Sequence, residues 1–368
     1  MSPDVLVVGG GLAGCSLARE AARAGQRVLV LERGTPACEA TYAAAGMLSA
    51  VVGSHEPGPL TDILLRCGRM YAAHAAALRE ETGLDVGYLQ SGTLYLSLVE
   101  ADDDFLVRRY DWQFSAGLGT ERLTAAEVLR LEPAINPDVR WALRFLDDHQ
   151  VDNRLLGRAT WLAAAAAGAE FRLGAEVAAL ERSGDRVVGV RLAGGEIVTA
   201  GQVVVAGGCW SGLLGGLPHP VPVEPFRGQI VALESPPQPF RHVVDSPRCY
   251  TVPRADGRLL VGATAERVGY RKVVTAAGVL GLLAAAVELS PRLESAAINE
   301  TWSGLRPGTP DGLPILGPDP EVQGLHYLTG HFRHGILIAP LTSALVHQAM
   351  IGSEDPALAQ CSVARFAM

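Results

Sequence analysis

The stretch Val5-Leu-Val-Val-Gly9-Gly-Gly11-Leu-Ala-Gly14 decides the fold. Four apolar residues in a row suit a strand buried on both faces, as in a parallel sheet. Glycines follow in GxGxxG spacing, and Leu17, Ala18, Ala21, Ala22 and Ala24 then recur at helical spacing with Arg19, Glu20 and Arg23 outside. A second apolar run, Val28-Leu-Val-Leu31, completes a strand-helix-strand unit. In that setting the glycines read as a dinucleotide site: Gly9 for the tight turn, Gly11 for approach of a pyrophosphate, Gly14 for close helix-strand packing. Leu12 and Ala13 open the helix that receives the phosphates. Glu32 ends the second strand, where a carboxylate holds ribose hydroxyls and disfavours the 2′-phosphate of NADP.

The chain has 368 residues, more than one typical domain, so two are expected. Val203-Val-Val-Ala206 is another buried-type strand, and Val187–Leu192 followed by Gly194-Gly195 suggests a hairpin. Thr124-Ala-Ala-Glu127 is a capping box for a helix that Pro133 ends. Leu259–Ala263 reads as a strand, 275–289 as an amphipathic helix stopping before Pro291, and the proline-rich breaks at 218–225 and 236–239 as domain crossings. The expected fold is α/β (α+β overall). A Rossmann-type domain comes from residues 1–84, 141–218 and 301–368, with an inserted mixed or antiparallel domain from 85–140 and 219–300.

A formal net charge of −8 without Lys/Arg blocks argues against nucleic acid and anionic membranes as partners. Basic charge is nearly all arginine, and Lys272 is the only lysine. Six scattered cysteines, with no CxxC or CxxH, predict neither a metal site nor a disulfide framework, and fit a reducing cytoplasm. The N-terminus lacks a basic signal region. The apolar stretches 278–287 and 335–351 are too short, or too interrupted by Pro340, His347 and Gln348, to span a bilayer.

Two glycine-flanked arginines carry the chemistry, Arg306 in Gly304-Leu-Arg-Pro-Gly308 and Arg333 in Gly330-His331-Phe-Arg-His-Gly335. A guanidinium held by such a backbone can grip a carboxylate in two places. The apolar helix starting at Gly335 attracts negative charge. Small residues in Thr41-Tyr-Ala-Ala44-Ala45-Gly46-Met47, and in the turn Ala206-Gly207-Gly208-Cys-Trp210, let an extended cofactor lie against the backbone, which favours FAD over NAD.

These motifs, with Cys249-Tyr250-Thr-Val-Pro253, Gly262-Ala-Thr264 and Asp311-Gly312, match in order over nearly the whole length. The chain resembles the D-amino-acid oxidase superfamily of flavoproteins, and within it is most similar to the glycine oxidases of the thiamine pathway. The resemblance implies Arg306 and Tyr250 on the substrate carboxylate, with Arg333 and Met47 near the pocket. It places the amides of Gly335, Ile336 and Leu337 at the flavin, and Arg33, Val177 and His331 among further cofactor contacts. It implies hydride transfer from Cα of glycine, sarcosine or a small D-amino acid to flavin N5, giving an imine, then ammonia and hydrogen peroxide. No acid/base residue is required. Molecular oxygen is the implied acceptor, a homotetramer the implied assembly, and thiazole formation the implied role.

No cysteine lies in 301–317, where covalent relatives tether the ring, so FAD is expected to be non-covalent. Arg248 stands where a relative has histidine, and Ala265 where methionine can stand, so the pocket can differ in size. Two alternatives remain open: a dehydrogenase of the same fold using a quinone or carrier, and a non-catalytic flavin- or NAD-binding sensor.

Overall fold

The computed structural model describes residues 2–353 and 355–366. Strand Val5–Val8 lies between Val28–Glu32 and Gln202–Val205, parallel to both. Glu170–Leu173 and Leu325–Thr329 extend the sheet in parallel, and Ile315–Pro318 closes it as an antiparallel sixth strand. The VLVV run is apolar throughout because both faces are covered. Val5 and Val7 join a core with helices Leu12–Arg23, Pro59–Thr82, Asn153–Ala166 and Gly335–Met350. Leu6 and Val8 face the other way, toward a three-stranded sheet built from Val177–Ser183, Arg186–Leu192 and Ile197–Thr199. The last two form the expected hairpin.

An eight-stranded sheet makes the second layer system. Its spatial order is Ala297–Gly308, Glu224–Glu234, Arg258–Gly262, Tyr250–Pro253, Val243–Asp245, Thr93–Ser97, Trp141–Phe145 and Thr120–Thr124. Neighbours are antiparallel except Val243–Asp245 against Thr93–Ser97. One face, with Leu94, Val244 and Val261, packs under helix Ala276–Leu289. The other carries Ile230, Val243, Val252 and Leu260 and meets Ala45 of the nucleotide side.

Several local readings can be compared directly. Thr124 accepts from Glu127 N, and Glu127 accepts from Thr124 N at 2.8 Å, which closes the capping box. Helix Ala276–Leu289 starts after Thr275 but is less amphipathic than expected. It carries no charge before Glu288, so its outer face is Ala276, Ala277, Leu280, Gly281 and Ala284 rather than polar. Strand Trp141–Phe145 and the whole of Ala297–Gly308 hydrogen-bond into the eight-stranded sheet. On that basis we propose domain crossings near 146 and 309 in place of 141 and 301, since a strand belongs with the sheet it pairs in.

Helix Gly335–Met350 contains Pro340. A proline in a helix leaves the carbonyl four residues earlier without its amide partner. That carbonyl, Ile336 O, accepts instead from the buried Tyr71 hydroxyl at 2.8 Å. No helix among the described residues is long and apolar enough to cross a membrane.

Candidate active site

A cavity of about 790 Å³ runs between the two sheets, in the range of an extended organic ligand. Its first end is the glycine turn. Gly9 sits at φ +105°, and a side chain there would meet Ala206 O at 2.7 Å. Nothing lies within 4 Å of where a Gly11 side chain would stand, so that backbone is bare toward the cavity. Gly14 is unlike the other proposed cofactor residues in not lining the cavity: a side chain there would collide with Gly9 O, which makes it a packing residue. Leu12 N donates to Thr41 Oγ1 at 3.1 Å, tying the helix start to the small-residue loop.

Glu32 is held by two amides, Gly10 N and Gly34 N, each at 2.7 Å, and lines the cavity beside Arg33. The Arg33 guanidinium stacks 3.7 Å from the Trp210 ring centre. Val177, Ala206, Gly207 and Gly208 complete this end. The segment 263–275 reaches across to it. Tyr270 donates to Cys209 O at 2.8 Å, and Lys272 pairs with Glu39 at 2.8 Å.

Ala13, Ala44, Ala45, Gly46 and Met47 line the middle. A residue not expected from the sequence fixes this loop. Buried Arg254 donates to Val151 O, Ala45 O and Asn153 Oδ1, at 2.5, 2.8 and 2.9 Å. Burial lowers its guanidinium to about 10. Opposite stand Gly335, Ile336 and Leu337 at the start of the last long helix, their first-turn amides without a side-chain cap. Such amides suit an electron-rich ring edge. Bare glycine backbone, an oriented acid, a small-residue loop and a second helix start together fit FAD.

The floor of the other end is the eight-stranded sheet. Tyr250 lies over Gly262, where any side chain would strike its ring, and Arg306 lies over Gly228 in the same way. Arg306 donates to Thr264 O at 3.0 Å. Thr264 Oγ1 donates to Glu266 at 2.7 Å, and Glu266 also binds Gln229 and Arg227. Burial raises the Tyr250 phenol, against the pull of adjacent Arg306. Arg333 also lines the cavity, with no hydrogen bond or ion pair among the described residues, and burial lowers its guanidinium. His331 is buried on Thr342 at 3.1 Å and lowered to about 4, so it is a neutral supporting residue.

Four further wall residues were not assigned from the sequence: Tyr95, Asp245, His55 and Arg109. Arg109 bonds Val52 O, approaches His55 Nδ1 at 2.9 Å and faces the rings of Tyr95, Phe105 and Phe145. Their signal is absent locally because they come from two strands, a helix and a loop far apart in the chain. Arg248 is occupied by Glu288 at 2.8 Å and by Asp102 at 3.7 Å. Ala265 lines the cavity.

Relatives match along this whole frame. The chain is 37% identical over 346 residues to a glycine oxidase of Geobacillus kaustophilus (strain HTA426), covering 93% of this chain and 91% of that one. The crystal structure of glycine oxidase from Geobacillus kaustophilus superposes with a TM-score of 0.95 at 36% identity, covering 99% of each chain. The bifunctional protein ThiO/ThiG of Trichormus variabilis (strain ATCC 29413 / PCC 7937) is 34% identical over 380 residues, which is all of this chain and 55% of that protein. Since the family described as FAD dependent oxidoreductase (DAO) also matches residues 4–349, this chain belongs to the DAO family of FAD-dependent oxidoreductases.

Proposed function

We propose that this protein catalyses FAD-dependent oxidative deamination of glycine or a similarly small amine, such as sarcosine or a small D-amino acid. The observation that carries this reading is the pair Arg306 and Tyr250. Both are seated over glycines on the sheet floor, and the guanidinium, which donates to Thr264 O, has no carboxylate partner among the described residues. A planar cation beside a phenol hydroxyl is built to hold one carboxylate in a fixed orientation. Holding it there aims the neighbouring Cα–H toward the middle of the cavity, between Met47 and the helix start at Gly335.

The chemistry FAD supplies when bound is acceptance of a hydride and return of the electrons to oxygen as hydrogen peroxide. The chain's own residues bind, orient and keep the site dry. Arg306 and Tyr250 take the carboxylate, Arg333 stands free to close over it, and the amides of Gly335, Ile336 and Leu337 favour negative charge on the ring edge. Arg254 holds the Ala45–Gly46 backbone that borders the ring. Likeness to glycine oxidases over nine-tenths of the chain supports the substrate class. Likeness to ThiO/ThiG supports a role in thiazole formation for thiamine. Non-covalent FAD, a cytoplasmic location and a homotetramer complete the reading, the last to be checked by light scattering.

The test is direct. Purified protein is expected to be yellow and to release free FAD on acid denaturation. Glycine added without oxygen should bleach it, and peroxide should appear when air returns. A colourless protein, or a flavin indifferent to every small amino acid, overturns the reading.

A further inference from the structure

The cavity wall beside Tyr250 carries a carboxylate that the reaction above does not use. Val243–Asp245 is a short strand between Thr93–Ser97 and Tyr250–Pro253. Asp245 is in register with Tyr95 on one side and Tyr250 on the other. Residues opposite one another on neighbouring strands share a face. Alternation within the strand agrees: Val244 joins the core under helix Ala276–Leu289, whereas Val243 joins the cluster with Ala45 that Met47 packs against. Tyr95, Asp245 and Tyr250 therefore form one row facing the cavity. The backbone of Asp245 stands one strand spacing, ~4.8 Å, from that of Tyr250, the tyrosine beside Arg306.

One Asp245 oxygen accepts from Ser246 N at 2.8 Å. Among the described residues the carboxylate makes no other hydrogen bond and no ion pair. The charged groups packed around it are otherwise engaged or offset. Arg109, from helix Asp103–Ser115, is spent on Val52 O and His55; Asp148 takes the amides of Val51 and Val52; Arg333, the Tyr95 and Tyr250 phenols and the Cys249 thiol also stand near it. Surrounding protein raises the Asp245 carboxyl to about 7, with Asp148 adding to the rise and Arg109 and Arg333 opposing it. A half-buried carboxylate in such a wall calls for a cation or a proton. The fixed charges at this end thus match a zwitterion, with Arg306 for its carboxylate and Asp245 for its ammonium one carbon away.

We propose that Asp245 binds the ammonium of the substrate and accepts its proton. The proposal rests on the amine-oxidising reading above and deepens it: the molecule taken from solution is a zwitterionic primary or secondary α-amino acid. In the step, one N–H bond breaks with its electron pair left on nitrogen, and an O–H bond forms on Asp245. The neutral amine then holds the lone pair that supports loss of the Cα–H bond as hydride. Asp245 returns the proton to water once product has left.

Asp245→Asn, which keeps an acceptor for Ser246 N, tests this in the FAD-loaded protein. In the unchanged enzyme kcat/KM for glycine should rise through a limb near pH 7 and level off. In the variant that limb should vanish, leaving a climb of about tenfold per pH unit toward the titration of free glycine. At neutral pH the variant should be ~30-fold or more weaker, the scale of removing a partner from a desolvated charge. Inhibition by acetate, a carboxylate without an amine, should stay unchanged, and Asp245→Glu should restore part of the limb. Equal weakening toward glycine and acetate, or a limb that persists in the Asn variant, overturns the proposal. An unchanged protein that holds FAD yet is bleached by no amino acid defeats the oxidase reading and this one together. A variant indistinguishable from an active parent defeats this one alone.

Discussion

Single residues carry the proposed substrate end. Replacing Arg306 by Ala removes the cation packed over Gly228. KM for glycine should rise by a factor equivalent to ~2–5 kcal/mol, the range for stripping one partner from a desolvated charge pair. Steady-state kinetics decide it, and an unchanged KM removes Arg306 from the site. Arg306→Lys should recover only part of the loss, because an ammonium cannot grip both carboxylate oxygens in one plane. Arg306 stood out in the sequence because glycines flank it, whereas Tyr250, in Cys249-Tyr250-Thr-Val-Pro253, was pointed to by the family resemblance alone. Asp245 was not legible: a strand of three residues shows no period, and its neighbour Tyr95 lies in a distant part of the chain. Arg254 was hidden for a similar reason, since an arginine after a strand reads as surface until its three acceptors are known.

Elements carry the cofactor end, and there two glycines separate binding from folding. Gly11→Ala adds a methyl group in open space, so the FAD-free protein should melt at the parent's temperature while its affinity for FAD falls. Gly14→Ala drives a methyl group into Gly9 O and should lower the melting temperature of both forms. Thermal melts with and without added FAD distinguish the two; identical behaviour would refute the separate roles. Tyr71→Phe leaves Ile336 O, the carbonyl freed by Pro340, unpaired in a buried helix turn. A cost of ~1–3 kcal/mol is expected from denaturant titration. The strand-helix-strand start, the hairpin and the capping box were readable because each depends on residues a few positions apart. The outer face of helix Ala276–Leu289 was misread because its apolar spacing continues around the helix.

For the whole molecule, pH dependence follows from where its histidines are sealed. Burial lowers His74, His326 and His331 to about 4 and His334 to about 3. Between those values and the ordinary 6.5 the unfolded chain binds more protons than the folded one, so stability rises with pH across that window. Asp148 and Asp245, raised to about 7, act with the opposite sign, but two groups oppose four. The melting temperature should therefore fall as pH drops from about 7 to about 5. A flat profile in fluorimetric melts would show the histidines to be open to solvent. The two-sheet plan was readable from apolar runs, whereas the crossings we propose near 146 and 309 rest on strand pairings that no local stretch records.

The segment 263–275 has a practical consequence at this scale. Lys272 is the chain's single lysine, and its ammonium is partly exposed on Glu39, at the nucleotide end of the cavity and away from Arg306. Apart from the amino terminus, an amine-reactive fluorophore has one address on this protein. A dye placed there would sit within reach of the flavin's absorbance, turning loading and loss of the cofactor into a quenching signal read from a single engineered-free position.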